Sequence, residues 1–274
     1  MKRYLISITV LVLISFTGFS RAEEPSKKFK DPTTGIEFIF VKGGCFQMGD
    51  IFGDGESDEK PVHEVCIDDL YMGKYEVTQK EWNTIMGNNP SNFKNCDNCP
   101  VEQVSWNDIQ EYINKLNQKT RKKYRLPTEA EWEYSARSGG KNEKYAGSND
   151  VDSVAWYDSN SGTKTHPVGQ KQPNGLGIYD MSGNVWEWVQ DWYDGGYYKN
   201  GPKNNPRGPD SGSSRVLRGG SWNYIQQSLR ASNRFRYEPS IRSYKDSASD
   251  FVWLSPPSSY FLISGFLFSK FLFF

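Results

Sequence analysis

The chain has 274 residues, no formal net charge, 15% aromatic residues, nine Trp and 25 Gly. That length supplies a sizeable core for one large domain. The balanced charge, with no long basic stripe, excludes general nucleic-acid affinity, and the mixture of glycine with large rings excludes a helical bundle in favour of a loop-rich domain.

Lys2 and Arg3 precede an apolar run from Tyr4 to Phe19 that closes on Ser20-Arg21-Ala22. A basic start, a short apolar run and small residues before the cut are the marks of a secretory signal, so residues 1–22 are expected to be removed after Ala22. Thr9, Ser15, Thr17 and Gly18 dilute the run, and a spanning helix needs about 20 apolar residues, so no stable membrane span is expected. Loss of Lys2, Arg3 and Arg21 leaves a mildly acidic mature chain, expected in the bacterial periplasm or outside the cell.

Residues 23–34 are polar and read as a flexible lead, and the domain is expected over 35–250. Ile36-Glu37-Phe38-Ile39-Phe40-Val41 carries the pattern of a first strand. Two further strands hold cysteines, Cys45 to Met48 and Val62 to Cys66, and Cys96 and Cys99 form a C-x-x-C in an Asn-rich loop. An exported chain meets an oxidising compartment. Of the three pairings open to four cysteines the simplest is Cys45–Cys66 with Cys96–Cys99; a zinc site is the rival, served by one C-x-x-C without a second pair or nearby histidines. Ile51 to Lys60, acidic and Gly-containing, reads as a surface loop.

Three capping boxes then announce helices, each a Ser or Thr followed three residues later by an acid. Thr78 with Glu81 opens a short helix that Gly87 stops. Ser105 with Asp108 opens a longer one, with Ile109, Tyr112, Ile113 and Leu116 on one buried face. Thr128 with Glu131 opens the third, with Gly139 beyond its end. No long helical period follows Ser138, and the layout predicted is α+β with much irregular structure.

Four stretches recur in a familiar order: Gly43 to Gly49 (GGCFQMG), Tyr124 to Arg137 (YRLPTEAEWEYSAR), Tyr179 to Trp188 (YDMSGNVWEW) and Arg215 to Trp222 (RVLRGGSW). Together they resemble the sulfatase-modifying factor domain of the formylglycine-generating enzymes, from about Gly35 to about Arg242. The resemblance implies that family's C-type-lectin-like fold. It also implies structural calcium held by Asp180, Gly183, Val185 and Glu187, the two middle residues through their carbonyls. A hard cation suits such a set of carboxylate and main-chain oxygens. The other reading of the same residues is a turn capped by Asp180 and an ion pair from Glu187 to an arginine.

In the catalytic relatives a thiolate pair binds Cu(I), at the second and seventh positions after the GGS[WY] stretch. Here those positions carry Tyr224 and Leu229, and no cysteine follows Cys99. Cu(I) is soft and demands such thiolates, so no copper and no formylglycine reaction is expected. The family's substrate groove would be lined here by Ser221, Trp222, Tyr224, Arg218 and Arg234. For Arg215, Arg218, Arg230, Arg234 and Arg236 the two readings are ion pairs with the acidic loops, or recognition of an anionic ligand. His63 and His166 are the two histidines; neither has a partner at helical spacing, so both read as packing residues. Ser221 lacks the frame of a nucleophile elbow.

The expected function is a binding or accessory module for an exported peptide, protein or carbohydrate. The alternatives are a tailoring enzyme acting on a secreted peptide and a structural part of an envelope assembly. The tail, residues 251–274, breaks style with its run of Phe and Tyr from Leu254 to Phe274 and no acidic residue. The family closes on a Gly-Phe-Arg strand that this chain lacks. Codons for Ser249 to Val252 read one base earlier can encode Gly-Phe-Arg, so a slip of frame between about Arg242 and Asp250 is expected. A membrane tail is the rival, but Tyr260 to Phe274, with Lys270 inside, falls short of the roughly 17–25 residues a span requires. Mass spectrometry of exported protein should find a mature N-terminus at Glu23; an intact Met1 there would remove the signal assignment.

Overall fold

A computed structural model of the chain describes residues 26–242, together with the backbone of 250–252. The signal segment and the tail from residue 253 lie outside the described residues. Among the described residues, nine strands form three small sheets that, with four α-helices, are wrapped by irregular chain, the mixed architecture predicted.

The first sheet has the order β1 (Lys28–Lys30), β2 (Glu37–Val41), β5 (Leu70–Gly73), all antiparallel. This corrects the flexible lead assigned to 23–34. Strand β1 lies within it, and Asp31 is buried, with the Tyr124 hydroxyl and the Lys122 ammonium both bonding its carboxylate, at 2.6 and 3.0 Å. The Thr33 and Thr34 amides donate to the same group. Burial pushes the Asp31 carboxyl up, but these donors outweigh it and its pKa ends below the usual value.

The second sheet is the antiparallel pair β3 (Gly44–Met48) and β4 (His63–Ile67), in which Cys45 faces Cys66 directly. Both expected disulfides are present, Cys45–Cys66 and Cys96–Cys99. The capping boxes open the helices they predict: α1 (Gln79–Met86), α2 (Trp106–Thr120) and α3 (Glu129–Ala136). In each, the hydroxyl accepts the amide of the third helical residue while that residue's carboxylate accepts back, which satisfies donors a helix start otherwise leaves open. Gly87 ends α1 at φ 76°, a left-handed turn that suits glycine. A single turn, α4 (Val151–Val154), is the last α-helix among the described residues.

The third sheet carries the 179–188 and 215–222 stretches. Its order is β8 (Phe235–Tyr237), β7 (Arg215–Arg218), β6 (Trp186–Trp192), β9 (Asp250–Val252), with β9 parallel to β6 and the other pairs antiparallel. Strand β9 begins at residue 250, the last residue of the expected domain. Trp82, Trp132, Trp186 and Trp188 are all fully buried in the core around which the sheets gather.

Charges are buried with the rings. Arg218 (0% exposed) pairs with Glu133 (0%), and Arg234 holds Glu129 through two bonds of 2.7 and 2.9 Å. Arg137 bonds Glu133 at 3.0 Å, and Arg230 grips Glu59 through two bonds of 2.6 and 2.7 Å. The 51–60 segment is therefore a surface loop only in part, since Glu59 is fully buried. Burial alone would raise the Glu129 carboxyl; Arg234 and Arg218 more than offset that, and its pKa ends lowered. Removing one partner of such a pair leaves a charge stranded in the interior. Arg218→Met should cost about 3–5 kcal/mol of unfolding free energy in urea titration, with Arg242→Met, an exposed ion-pair partner of Asp108, costing under about 1 kcal/mol.

Candidate functional site

The 179–188 stretch forms a tight turn leading into β6. Asp180, Gly183 and Asn184 all adopt left-handed backbone, at φ 60°, 85° and 58°. Glycine is required at 183 for a second reason: a Cβ there would stand 2.3 Å from the Trp156 carbonyl oxygen. The Asp180 carboxylate accepts the Gly169 amide at 2.6 Å, and Glu187 accepts the Trp132 indole N–H inside the core. Asp180, Val185 and Glu187 are buried, the last two at 0% exposure.

Asn184 joins this turn to everything around it. Its amide donates to the Trp156 carbonyl and its carbonyl accepts the Trp222 amide, each at 2.8 Å. Its side-chain oxygen accepts the His166 amide at 2.9 Å, while its NH2 donates to Glu76 at 2.6 Å and to the His166 carbonyl at 3.1 Å.

Glu76 is the residue that reading the motifs misses. It is fully buried, accepts the Val185 amide at 3.3 Å, and comes from the short link between β5 and α1, more than a hundred positions earlier in the chain. The available signal was an acid between Tyr75 and Val77 in Lys74-Tyr75-Glu76-Val77, just before the helix cap at Thr78. Burial raises its carboxyl pKa far above the usual range, and Asp180 and Glu187 raise it further. Burial also pushes Asp180 up to about 7, with the Gly169 hydrogen bond opposing.

Among the described ion pairs, no Lys or Arg reaches Glu76 or Asp180. Glu76 and Asp180, buried and repelling each other, are acids whose charge a bound cation would relieve. Among the described residues no three His, Cys, Asp or Glu side chains converge as a ready metal cluster. The Asp180 and Glu187 carboxylates and the Gly183 and Val185 carbonyls are oxygen donors of the class a hard cation takes.

The expected groove residues separate. Arg218 and Arg234 are corrected: they are 0% and 5% exposed and spent on Glu133 and Glu129, so the ion-pair reading holds for them and they line no groove. Arg230 is buried likewise against Glu59. Ser221 is fully buried, its hydroxyl donating to Asn223 Oδ1 at 2.9 Å. Tyr224 packs against Trp186 and Phe235, at ring separations of 5.2 and 6.3 Å, and Leu229 is fully buried. Trp222 and Tyr224 are both half-buried, and Trp222 meets the Phe93 ring edge-on at 5.4 Å, with Ile225 nearby in sequence 60% exposed. A separate polar cleft of about 240 Å³ is lined by Asp68, Arg125, Glu131, Gln190, Asn205 and Arg207; there Arg125 is already committed to Glu131. Both histidines pack as expected. His166 stacks on Trp156 with its Nε2 2.6 Å from the Ser161 carbonyl, and His63 leans on Tyr198.

Comparison with known proteins gives a consistent result. The family described as Sulfatase-modifying factor enzyme 1-like domain matches residues 23–245. A chaperone protein LppX of Paenibacillus barcinonensis is 33% identical, over 81% of this chain and 89% of its own. A formylglycine-generating enzyme of Streptomyces coelicolor is 30% identical, over 67% of this chain and 78% of its own. Among solved structures, Treponema denticola variable protein 1 superposes with a TM-score of 0.76 at 30% identity, covering 85% of this chain and 99% of that one.

The raised carboxyl of Asp180 has a measurable sign. A group that holds its proton longer when folded stabilises the protein at low pH, and that contribution fades as pH rises through the folded value. In chelator-treated protein, stability should therefore fall between about pH 4 and pH 8. Asp180→Asn should flatten the fall, gaining roughly 2–4 kcal/mol over the parent at the upper end, as read by denaturant titration at each pH.

Proposed function

This chain belongs to the sulfatase-modifying factor family, and from that premise we propose that it is an exported binding or accessory module that uses the family fold without the family's copper chemistry. One observation carries the reading. Where a copper pair would stand, Tyr224 is packed among Trp186 and Phe235 and Leu229 is sealed in the core. All four cysteines are engaged in the two disulfides, and none follows Cys99. A phenol and an isobutyl group offer Cu(I) no soft ligand.

The ligand is an exported peptide, protein or carbohydrate, met at the Phe93–Trp222 face. Aromatic platforms of this kind bury area at low cost in side-chain freedom. The name of the Paenibacillus relative, a chaperone, supports an accessory role. Calcium is structural in this proposal. Asp180 and Glu187 would hold it with the Gly183 and Val185 carbonyls, and Glu76 would brace the turn through Asn184 and the Val185 amide. The ion would neutralise the buried acids and fix the chain that supplies the Trp222 amide with its acceptor.

Purified protein incubated with copper, oxygen and a cysteine-containing sulfatase-type peptide should yield no formylglycine by mass spectrometry. Copper-dependent turnover would overturn the module reading in favour of an enzyme. Calcium at about a hundredfold excess over its Kd should raise the melting temperature by about 5–10 °C. Glu187→Ala should abolish most of that rise, and an undiminished response in this variant would place the ion elsewhere.

A further inference from the structure

The C-x-x-C turn holds an unusual position. Three successive carbonyls inside or closing it accept three amides from elsewhere. Asp97 takes Lys80 N–H at 3.1 Å, Asn98 takes Val168 N–H at 2.9 Å and Cys99 takes Gln79 N–H at 2.9 Å. Gln79 and Lys80 open α1, so the turn completes the cap that Thr78 and Glu81 begin. Gln79, 2% exposed, also reaches the other limb of the loop, its Nε2 donating to the Phe93 carbonyl at 2.8 Å and to the Pro100 carbonyl at 3.3 Å. The Phe93 ring then meets Trp222. One residue thus couples the disulfide-closed turn to the aromatic face.

Besides these backbone bonds and that of the Cys99 amide to the Cys96 carbonyl at 3.0 Å, the disulfide closes the turn. Lys94, Asn95, Asp97 and Asn98 are exposed, none of them apolar, and Asn95 sits at φ 63°. The two residues also differ in exposure, Cys96 being half-buried and Cys99 4% exposed. Cys96 is therefore the more approachable residue of the pair.

We propose that Cys96–Cys99 is a redox latch on the Phe93–Trp222 face, opened by a dithiol reductant. That this face binds the ligand rests on the function proposed above; the latch itself does not. The reductant's thiolate bonds to Cys96 Sγ and the Cys96–Cys99 bond breaks, with Cys99 leaving as a thiolate. The reductant's second thiolate then attacks its own sulfur in the mixed disulfide and releases Cys96. The reductant ends as a disulfide, and the two cysteines take up protons. Freed of its closure, the turn gives up its three acceptors, the start of α1 frays, and Gln79 no longer fixes the limb that carries Phe93.

Hydrogen exchange read by mass spectrometry tests this on the full protein, oxidised or treated with dithiothreitol, with peptide mapping to report each disulfide. A Cys45→Ser, Cys66→Ser variant isolates the 96–99 bond, and Cys96→Ser, Cys99→Ser mimics the open state. The amides of Gln79, Lys80 and Val168 should exchange at least tenfold faster on opening, while those of α2 and β6 stay protected. Exchange at the three amides that is unchanged once mapping shows the bond cut would overturn the latch. So would loss of protection across the whole chain in the variant that retains only Cys96 and Cys99, because the bond would then be a general staple. Exchange needs no ligand, so a missing ligand at the Trp222 face would sink the module reading and leave this result standing.

Discussion

The fold depends on charge placed where charge is costly. Helix α3 carries Glu129 and Glu133 into the interior, and arginines from β7 and the segment after it come down to meet them. A loop-rich chain with three small sheets has few long backbone ladders to hold remote segments together. Buried guanidinium–carboxylate pairs do that work here because their geometry is directional and leaving one open is expensive. Arg218 binds Glu133 and also the carbonyls of Ala231 and Asn233, so one side chain locks α3, β7 and the 231–233 segment in a single arrangement. Arg230 repeats the device on Glu59, drawing in the acidic loop.

Much of the local structure was legible because its causes are local. A hydroxyl and an acid three residues apart are enough to start a helix, and Thr78, Ser105 and Thr128 each do so. The facing cysteines of β3 and β4 could be paired because both strands read as strands. The arginines were legible only as alternatives. Whether a guanidinium faces solvent or a buried carboxylate depends on partners 85 to 171 positions away, and no short window contains that information. The same limit hid β1. Lys28-Phe29-Lys30 looks like solvated linker until β2 presents an edge and Tyr124 a hydroxyl for Asp31.

The candidate site divides along the same line. Its turn was readable as a stretch because glycine, two acids and a left-handed backbone sit within eight residues. Glu76 was not, because its role exists only once β5 ends beside that turn. The groove fared worst. Reading it from motif positions alone assigned exposure to residues that packing had already consumed, and what survives at the surface is a ring pair, Phe93 with Trp222, brought together from two distant loops.

Position 184 shows how narrow the tolerance of such a junction is. Its backbone lies at φ 58°, which disfavours every side chain but the smallest and those of Asn and Asp. Glycine would accept the backbone but leave Glu76 and His166 without their side-chain partner. Aspartate matches the shape, yet it would turn a donor into an acceptor and set a fourth carboxylate beside Glu76. Glutamine is a methylene too long for contacts of 2.6 and 2.9 Å on opposite sides of one amide. Shape, torsion and hydrogen-bond polarity each eliminate a different set of residues, and asparagine is what the three leave.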